Sequence, residues 1–306
     1  MTPIVLKMAG YQAPESIHNQ AAERFGRRLC DRLGDRVRFE LVPSVLDLGH
    51  PSGELVPMVE RGAFTCCYMS TVRFSEKVPE CRIFELPFVV RDRHRAWTAL
   101  DGEFGAYLKR RIRATTQCVA LGFWDNGFRH LTNKVRPIRR PEDCQGLTIR
   151  TQMTPLHGET FSALGFEPIA ADIKEFVEQI GGDRFHAQDN PLTNIYVFHV
   201  HDFHRYITLT GHLWGASVFA CNRAQYESWP ADVRAAVDAA AAEATALQRQ
   251  LAEAEDTDAL ARLDPGRNEV IPLTEAEHAA FVAAVQPVVE RHREGLDPKL
   301  FAYLNA

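Results

Sequence analysis

The chain has 306 residues, 45% hydrophobic and 25% charged, a globular composition that can bury a large core and suits two lobes better than one. Its formal net charge of -5 argues against a binder of nucleic acid or of an anionic membrane surface, since either needs a basic surplus. Basic runs such as Lys109-Arg110-Arg111-Ile112-Arg113 read as solvated helix ends.

No stretch approaches the roughly 20 apolar residues that span a bilayer. The opening Met1-Thr2-Pro3-Ile4-Val5-Leu6-Lys7 lacks the basic start and long apolar middle of a secretory leader. The seven cysteines are an odd number, which weakens any disulfide framework. Most lie in apolar surroundings such as Phe64-Thr65-Cys66-Cys67-Tyr68 and read as small buried hydrophobes.

Taken in chain order, Ile4–Ala9 is a strand. Ser16 caps a helix whose apolar positions Ala21, Ala22, Phe25, Leu29 and Leu33 recur every three or four residues up to Gly34. Val37–Val42 alternates as a strand, Glu54–Glu60 is a short helix and Phe64–Met69 a buried strand. Arg93–Ile112 reads as one helix and Cys118–Phe123 as a strand. Then come the strand Leu147–Arg150, the helices Pro155–Leu164 and Lys174–Ile180, and the strands Phe185–Ala187, Tyr206–Thr210 and Ser217–Cys221. Strands alternating with helices imply crossover connections and a largely parallel sheet covered on both faces.

From Pro230 to Leu263 the pattern changes. The stretch is rich in alanine, has no glycine and no proline after its first residue, and stops at Pro265-Gly266. A helix of that length runs roughly 50 Å, more than one small lobe can cover. Strict heptads are missing, so a spine shared between lobes is favoured over a coiled coil. Thr274–His292 is a last long helix and Leu300–Leu304 a closing turn.

Familiar catalytic spacings are absent: no GxGxxG after a strand, no P-loop, no HExxH, no GxSxG, no CxxC. The nearest approach to a metal cluster is His199-Val200-His201-Asp202-Phe203-His204. On a strand His199 and His201 share a face, and on a helix His201 sits beside His204 or Arg205; neither gathers three ligands. The segment therefore reads as a polar loop, with no metal and no cofactor called for.

What remains is polar residues at strand ends. Trp124-Asp125-Asn126-Gly127-Phe128-Arg129 follows one strand, Arg150 ends another, and Gln188-Asp189-Asn190-Pro191 follows a third. In open α/β sheets ligands lie beyond the carboxyl ends of the strands. Two arginines and an asparagine there, with no nucleophile or base, describe recognition of an anion, for which the planar guanidinium fork is suited. The alternative for Arg129 and Arg150 is pairing with the chain's own Asp or Glu.

These segments resemble the TRAP-transporter periplasmic solute-binding proteins, the DctP family. WDNGFR, then TN, RPI, PED and GL.IR, then ALGFEPIA, QDNPLTNIY and Tyr206-Ile207-Thr208-Leu209-Thr210 follow the family order between Gly122 and Pro230. Val42-Pro43, Leu48-Gly49, Gly62, Ser70-Thr71, Val78-Pro79-Glu80 and Leu86-Pro87-Phe88 agree more loosely. The resemblance implies an α/β, two-lobed periplasmic-binding-protein-like fold with a long helix shared by both lobes. Residues 1–125 plus about 212–250 would form lobe I, and 126–211 plus about 251–306 lobe II.

It also implies a non-enzymatic receptor, expected to be monomeric. This receptor would close on a small organic carboxylate in the inter-lobe cleft and deliver it to the TRAP membrane permease subunits. Arg150 falls on the arginine that grips the carboxylate, Arg129 on the second arginine and Asn190 on the asparagine beside it. Tyr11 and Ser70 fall where the family varies residues to choose substrates, and Ile173 and Trp214 are further candidates for the cleft wall. The family usually has Asp-Gly before Gln-Glu-Asn-Pro; here the run is His186-Ala187-Gln188-Asp189-Asn190-Pro191. Periplasmic location is expected on the assumption of a leader outside the given sequence. The alternative is a cytoplasmic carboxylate sensor or carrier on the same fold.

Overall fold

The computed structural model describes residues 2–305. In chain order its elements begin β1 (Ile4–Ala9), α1 (Ile17–Leu33), β2 (Val37–Val42), α2 (Leu55–Glu60), β3 (Cys66–Ser70), α3 (Arg93–Asp101), α4 (Glu103–Thr115) and β4 (Cys118–Asn133). They continue with β5 (Thr148–Thr151), α5 (Pro155–Ala163), β6 (Glu167–Ala170), α6 (Ile173–Gln179), β7 (Ala187–Pro191) and α7 (Leu192–Val197). The last are β8 (Tyr206–Asn222), α8 (Arg223–Ser228), α9 (Ala231–Arg262), β9 (Glu269–Pro272), α10 (Glu275–Arg293) and α11 (Pro298–Asn305).

The chain divides into two compact units, Met1–Pro79, Leu100–Asp125 and Ala216–Ala254 forming the first, and Glu80–Ala99, Asn126–Gly215 and Glu255–Ala306 the second. Two strands, β4 and β8, and the helix α9 run from one unit into the other. Residues 80–99 fall in the second unit, not in lobe I where the sequence reading put them. Their partners are there: the Phe88 N–H donates to the His212 carbonyl at 2.8 Å, and Phe84 meets Trp214 edge-on at 5.8 Å.

In the first unit β1 lies between β2 and β3 and is parallel to both, whereas β3 pairs antiparallel with β8, Cys66 opposite Cys221. The α1 helix starts where Ser16 Oγ accepts the Asn19 N–H at 3.2 Å, as its cap position requires. Its inner face packs on the sheet through Phe25, edge-on to Phe219 at 4.9 Å. The α9 helix buries Val233, Val237, Ala240, Ala241, Ala244 and Gln248, a stripe at helical period. Thirty-two residues make it roughly 48 Å long.

In the second unit β7 pairs antiparallel with β4 and parallel with β5, β5 pairs parallel with β6, and β8 with β9. One face of this sheet presents Leu131, Ile149 and Ala187 to Phe161 of α5 and to Phe281, Val285 and Val289 of α10. The sheet is largely parallel, as expected, with antiparallel pairings where β3 meets β8 and β4 meets β7.

Other departures have local causes. The expected helix Arg93–Ile112 is two helices, because the chain turns at Gly102 and Gly105 packs against the Leu100 carbonyl with no room for a Cβ. The strands read as Cys118–Phe123 and as Tyr206–Thr210 with Ser217–Cys221 are each continuous, since Gly127 (φ 85) and Gly211 (φ 55) bend them without ending them. The seven cysteines are free, and all but half-buried Cys30 are buried. Among the described residues no helix is long and apolar enough to cross a membrane.

Candidate ligand site

Three neighbouring strands of the second unit set out the predicted anion-binding residues. On β4 and β7, Arg129 stands opposite Pro191, His130 opposite Asn190 and Leu131 opposite Asp189. On β5, Arg150 stands opposite Gln188. Since side chains alternate along a strand, Arg129 and Asp189 share the face of Leu131, while Arg150, Gln188 and Asn190 share the other. The two arginines thus leave the sheet on opposite faces.

Arg129 is buried and donates from Nε to the Asp189 carboxylate and from Nη2 to the Asp189 carbonyl at 2.5 Å. His212 Nε2 lies 3.3 Å from the same carboxylate, and His212 Nδ1 is 2.7 Å from Thr210 Oγ1. Burial alone would raise the Asp189 carboxyl, but the Arg129 charge beside it and the His212 hydrogen bond outweigh that and hold it well below the usual range. His157, also buried, has Nε2 3.9 Å from the Glu85 carboxylate. Burial nonetheless pushes His157 down to about 3, so its ring is neutral. For Arg129 the pairing with a protein acid, left open by the sequence, is what the structure contains.

On the opposite face Arg150 is equally buried. Its Nε donates to the Ala171 carbonyl at 2.9 Å, and the guanidinium carbon lies 5.9 Å from the centre of the Phe176 ring. A carbonyl and an aromatic face together fix the plane of the guanidinium. Beside it runs a neutral polar chain. Asn190 Nδ2 donates to Gln188 Oε1, and Gln188 Nε2 donates to Thr132 Oγ1 at 2.7 Å; Thr132 Oγ1 is 2.8 Å from His204 Nδ1. Asn194, in the first turn of α7, donates to Asn190 Oδ1 at 3.3 Å.

Ile173 opens α6 directly after its cap residue Asp172 and is buried. Trp214, on β8, is buried against Phe84, and its Nε1 has no hydrogen-bond partner. Asp189 Oδ1, Asn126 Oδ1 and Thr193 Oγ1 are further buried polar atoms without one. Such atoms are uncommon in folded proteins.

The first unit holds the remaining candidates. Tyr11 follows β1, is buried and bridges to Ser44. Its ring lies 5.5 Å from Tyr68, which stacks on Trp124 at 5.5 Å and lies 5.0 Å from His18. Gly10 permits this, since a Cβ there would strike the Tyr68 hydroxyl and the Pro43 carbonyl. Ser70 ends β3 opposite Ser217 and is half-buried. His18 has no partner on either ring nitrogen, and burial pushes it down to about 3.

The sequence pattern of DctP, described as bacterial extracellular solute-binding protein, family 7, matches residues 8–295. The chain belongs to this family. A Sinorhizobium fredii relative, uncharacterized protein y4mM, is 32% identical over 281 residues, covering 92% of this chain. The chain spans only 51% of that relative's length. A solute-binding protein of Verminephrobacter eiseniae is 30% identical over 277 residues, 90% of this chain and 81% of its own. In structure, the TRAP periplasmic solute-binding protein of Sulfurospirillum deleyianum with bound succinate superposes with a TM-score of 0.93 at 25% identity, covering 100% of this chain and 99% of that one.

Against this family background, some polar partners were missed in the sequence. Alternation along β7 was the available signal for Asp189, which it places on the side of Arg129. His212 and His157 had no local signal, because each reaches the site through tertiary packing. The histidine segment is a loop, as read from the sequence. It is neither strand nor helix: His199 adopts φ 54, ψ 27 and a 3-10 turn over Val200–Asp202 follows. That turn gathers His199, His201 and Asp202, with one ligand atom from each lying within 4.8 Å of the others.

Proposed function

We propose that this family member is the substrate-binding receptor of a TRAP transporter, taking up a small organic carboxylate and presenting it to the membrane permease. The observation that carries the reading is Arg150: a buried guanidinium at the carboxyl end of β5, its plane set by the Ala171 carbonyl and the Phe176 ring. A guanidinium held in that way is prepared for two parallel bonds to a carboxylate. Arg129 supports the site from the other face through Asp189, and Asn190 contributes from the Arg150 face. Tyr11, Ser70, Ile173 and Trp214 would shape the space for the rest of the molecule. The succinate held by the Sulfurospirillum deleyianum protein supports the substrate class. The receptor would act as a monomer in the periplasm, which agrees with the extracellular description of its family. It would bind without turning its ligand over.

Calorimetry against a panel of C4-dicarboxylates, sugar acids, hydroxy acids, keto acids and aromatic acids tests this. At least one class should bind and raise the melting temperature, by about 2.7 kcal/mol of stabilisation at a hundredfold excess over Kd. Arg150→Ala should weaken that binding by about 2–4 kcal/mol, with Arg150→Lys recovering only part. Normal binding by Arg150→Ala would remove the site assignment.

A further inference from the structure

We infer that His199, His201 and Asp202 form a site for a divalent d-block cation of the zinc type on the surface of the second unit. His199 Nδ1 lies 3.3 Å from Asp202 Oδ2, and His201 Nε2 lies 4.0 Å from Asp202 Oδ1. The three ligand atoms fall within 4.8 Å of one another. Ligands on a tetrahedral zinc at about 2.1 Å stand roughly 3.4 Å apart, so modest side-chain rotation closes the set. His199 has the freedom for this, being 72% exposed at its side chain.

The second ring is already set for ligation. His201 Nδ1 lies 3.3 Å from the Ile195 carbonyl oxygen, which can only accept. That contact calls for a proton on Nδ1, which leaves Nε2, on the side of Asp202, as the nitrogen to meet a cation. A carbonyl behind a ligating histidine is the usual means of fixing its tautomer. Tyr196 stacks on the same ring at 4.8 Å with 7° between planes, and Arg262 lies over Tyr196 at 4.3 Å, so the ring is clamped. The left-handed backbone at His199, unfavourable for a residue with a Cβ, turns the first imidazole towards the carboxylate.

Two imidazoles and one carboxylate select zinc, nickel or copper over magnesium or calcium, which prefer all-oxygen shells. Three protein ligands leave a position for water or for a group from another molecule. Arg267 opposes the cation: its Nη1 is 3.4 Å from Asp202 Oδ1, and it is 60% exposed and can swing away.

The test is calorimetric titration of the full chain, free of any histidine tag, with zinc chloride in a buffer that does not chelate. One equivalent should bind. His199→Ala and His201→Ala should each weaken binding by more than about tenfold, and Arg267→Ala should tighten it. Circular dichroism without zinc checks that the variants fold, and exposed His199→Ala alone decides the matter if His201→Ala does not. No saturable binding, unchanged affinity in His199→Ala, or an equal response to magnesium would overturn the proposal.

Discussion

The two units bury polar side chains to different ends. In the first, neutral groups hold backbone. Gln248 of α9 accepts the Asp125 N–H at 2.7 Å and donates to the Asp125 carbonyl at 2.6 Å, while Thr245 takes the Trp124 indole N–H at 3.1 Å. Asn19 donates to the carbonyls of Gln12, Ala13 and Pro43. Where Arg249 is buried, its carboxylate partner Asp101 is exposed. In the second unit both members of a pair are buried, Arg129 with Asp189, and titratable rings crowd around them. Neutral amides satisfy a backbone at any pH. Buried charge is expensive, and the Arg129–Asp189 pair lies on the sheet face opposite Arg150, where the guest anion is proposed to arrive.

Acid should expose this difference most strongly. Burial pushes His130, His157 and His204 of the second unit and His18 of the first down to about 3. An unfolded chain protonates each near its ordinary value of 6.5, so the unfolded state binds more protons between those limits. Stability is then complete above pH 6.5 and falls as pH drops, by about 1.4 kcal/mol per pH unit for each ring. Asp189, held low, adds to the loss as pH falls below its ordinary 3.8. Denaturant midpoints at pH 7.5 and 5.5 should differ widely, and amide exchange at pH 5.5 should open the second unit first. Equal midpoints would break the contrast.

The charged pair gives the next effect. Arg129→Ala leaves the Asp189 carboxylate buried without its guanidinium partner and should cost about 3–5 kcal/mol of stability. The double replacement Arg129→Met with Asp189→Leu should lose much less, since neither charge remains. Equal losses would mean that packing, not charge, is what Arg129 contributes. Arg150→Ala provides the matching control: its larger effect should fall on carboxylate affinity, with unfolding less affected than in Arg129→Ala.

Much of the fold could be read from the sequence because its signals are local. Ser16 and Gly34 bound α1, the run without proline after Pro230 gives α9, and turn residues bound most strands. What failed was non-local. Gly127 and Gly211 look like stops, yet the strands continue through them. Arg150 lies one residue from the end of β5, whereas Arg129, read as following a strand, lies inside β4. Their opposite faces follow only from register, which requires knowing that β7 lies between β4 and β5. The gathering of side chains at the histidine turn was not legible, because both regular geometries were considered and a left-handed residue was not.

The smallest effect probes the neutral side of the contrast. Gln248→Ala removes both amide bonds to Asp125 and should cost about 2 kcal/mol, equally at pH 7.5 and 5.5. Gln248→Glu is sharper, because a carboxylate still accepts the Asp125 N–H but cannot donate to its carbonyl. Burial would raise that carboxyl above its unfolded value, and protonation would restore the donor. The glutamate variant should therefore gain stability relative to the parent as pH falls, opposite in sign to the histidines of the second unit. A Gln248→Glu deficit that stays constant with pH would show that this position is held by shape and not by the two hydrogen bonds.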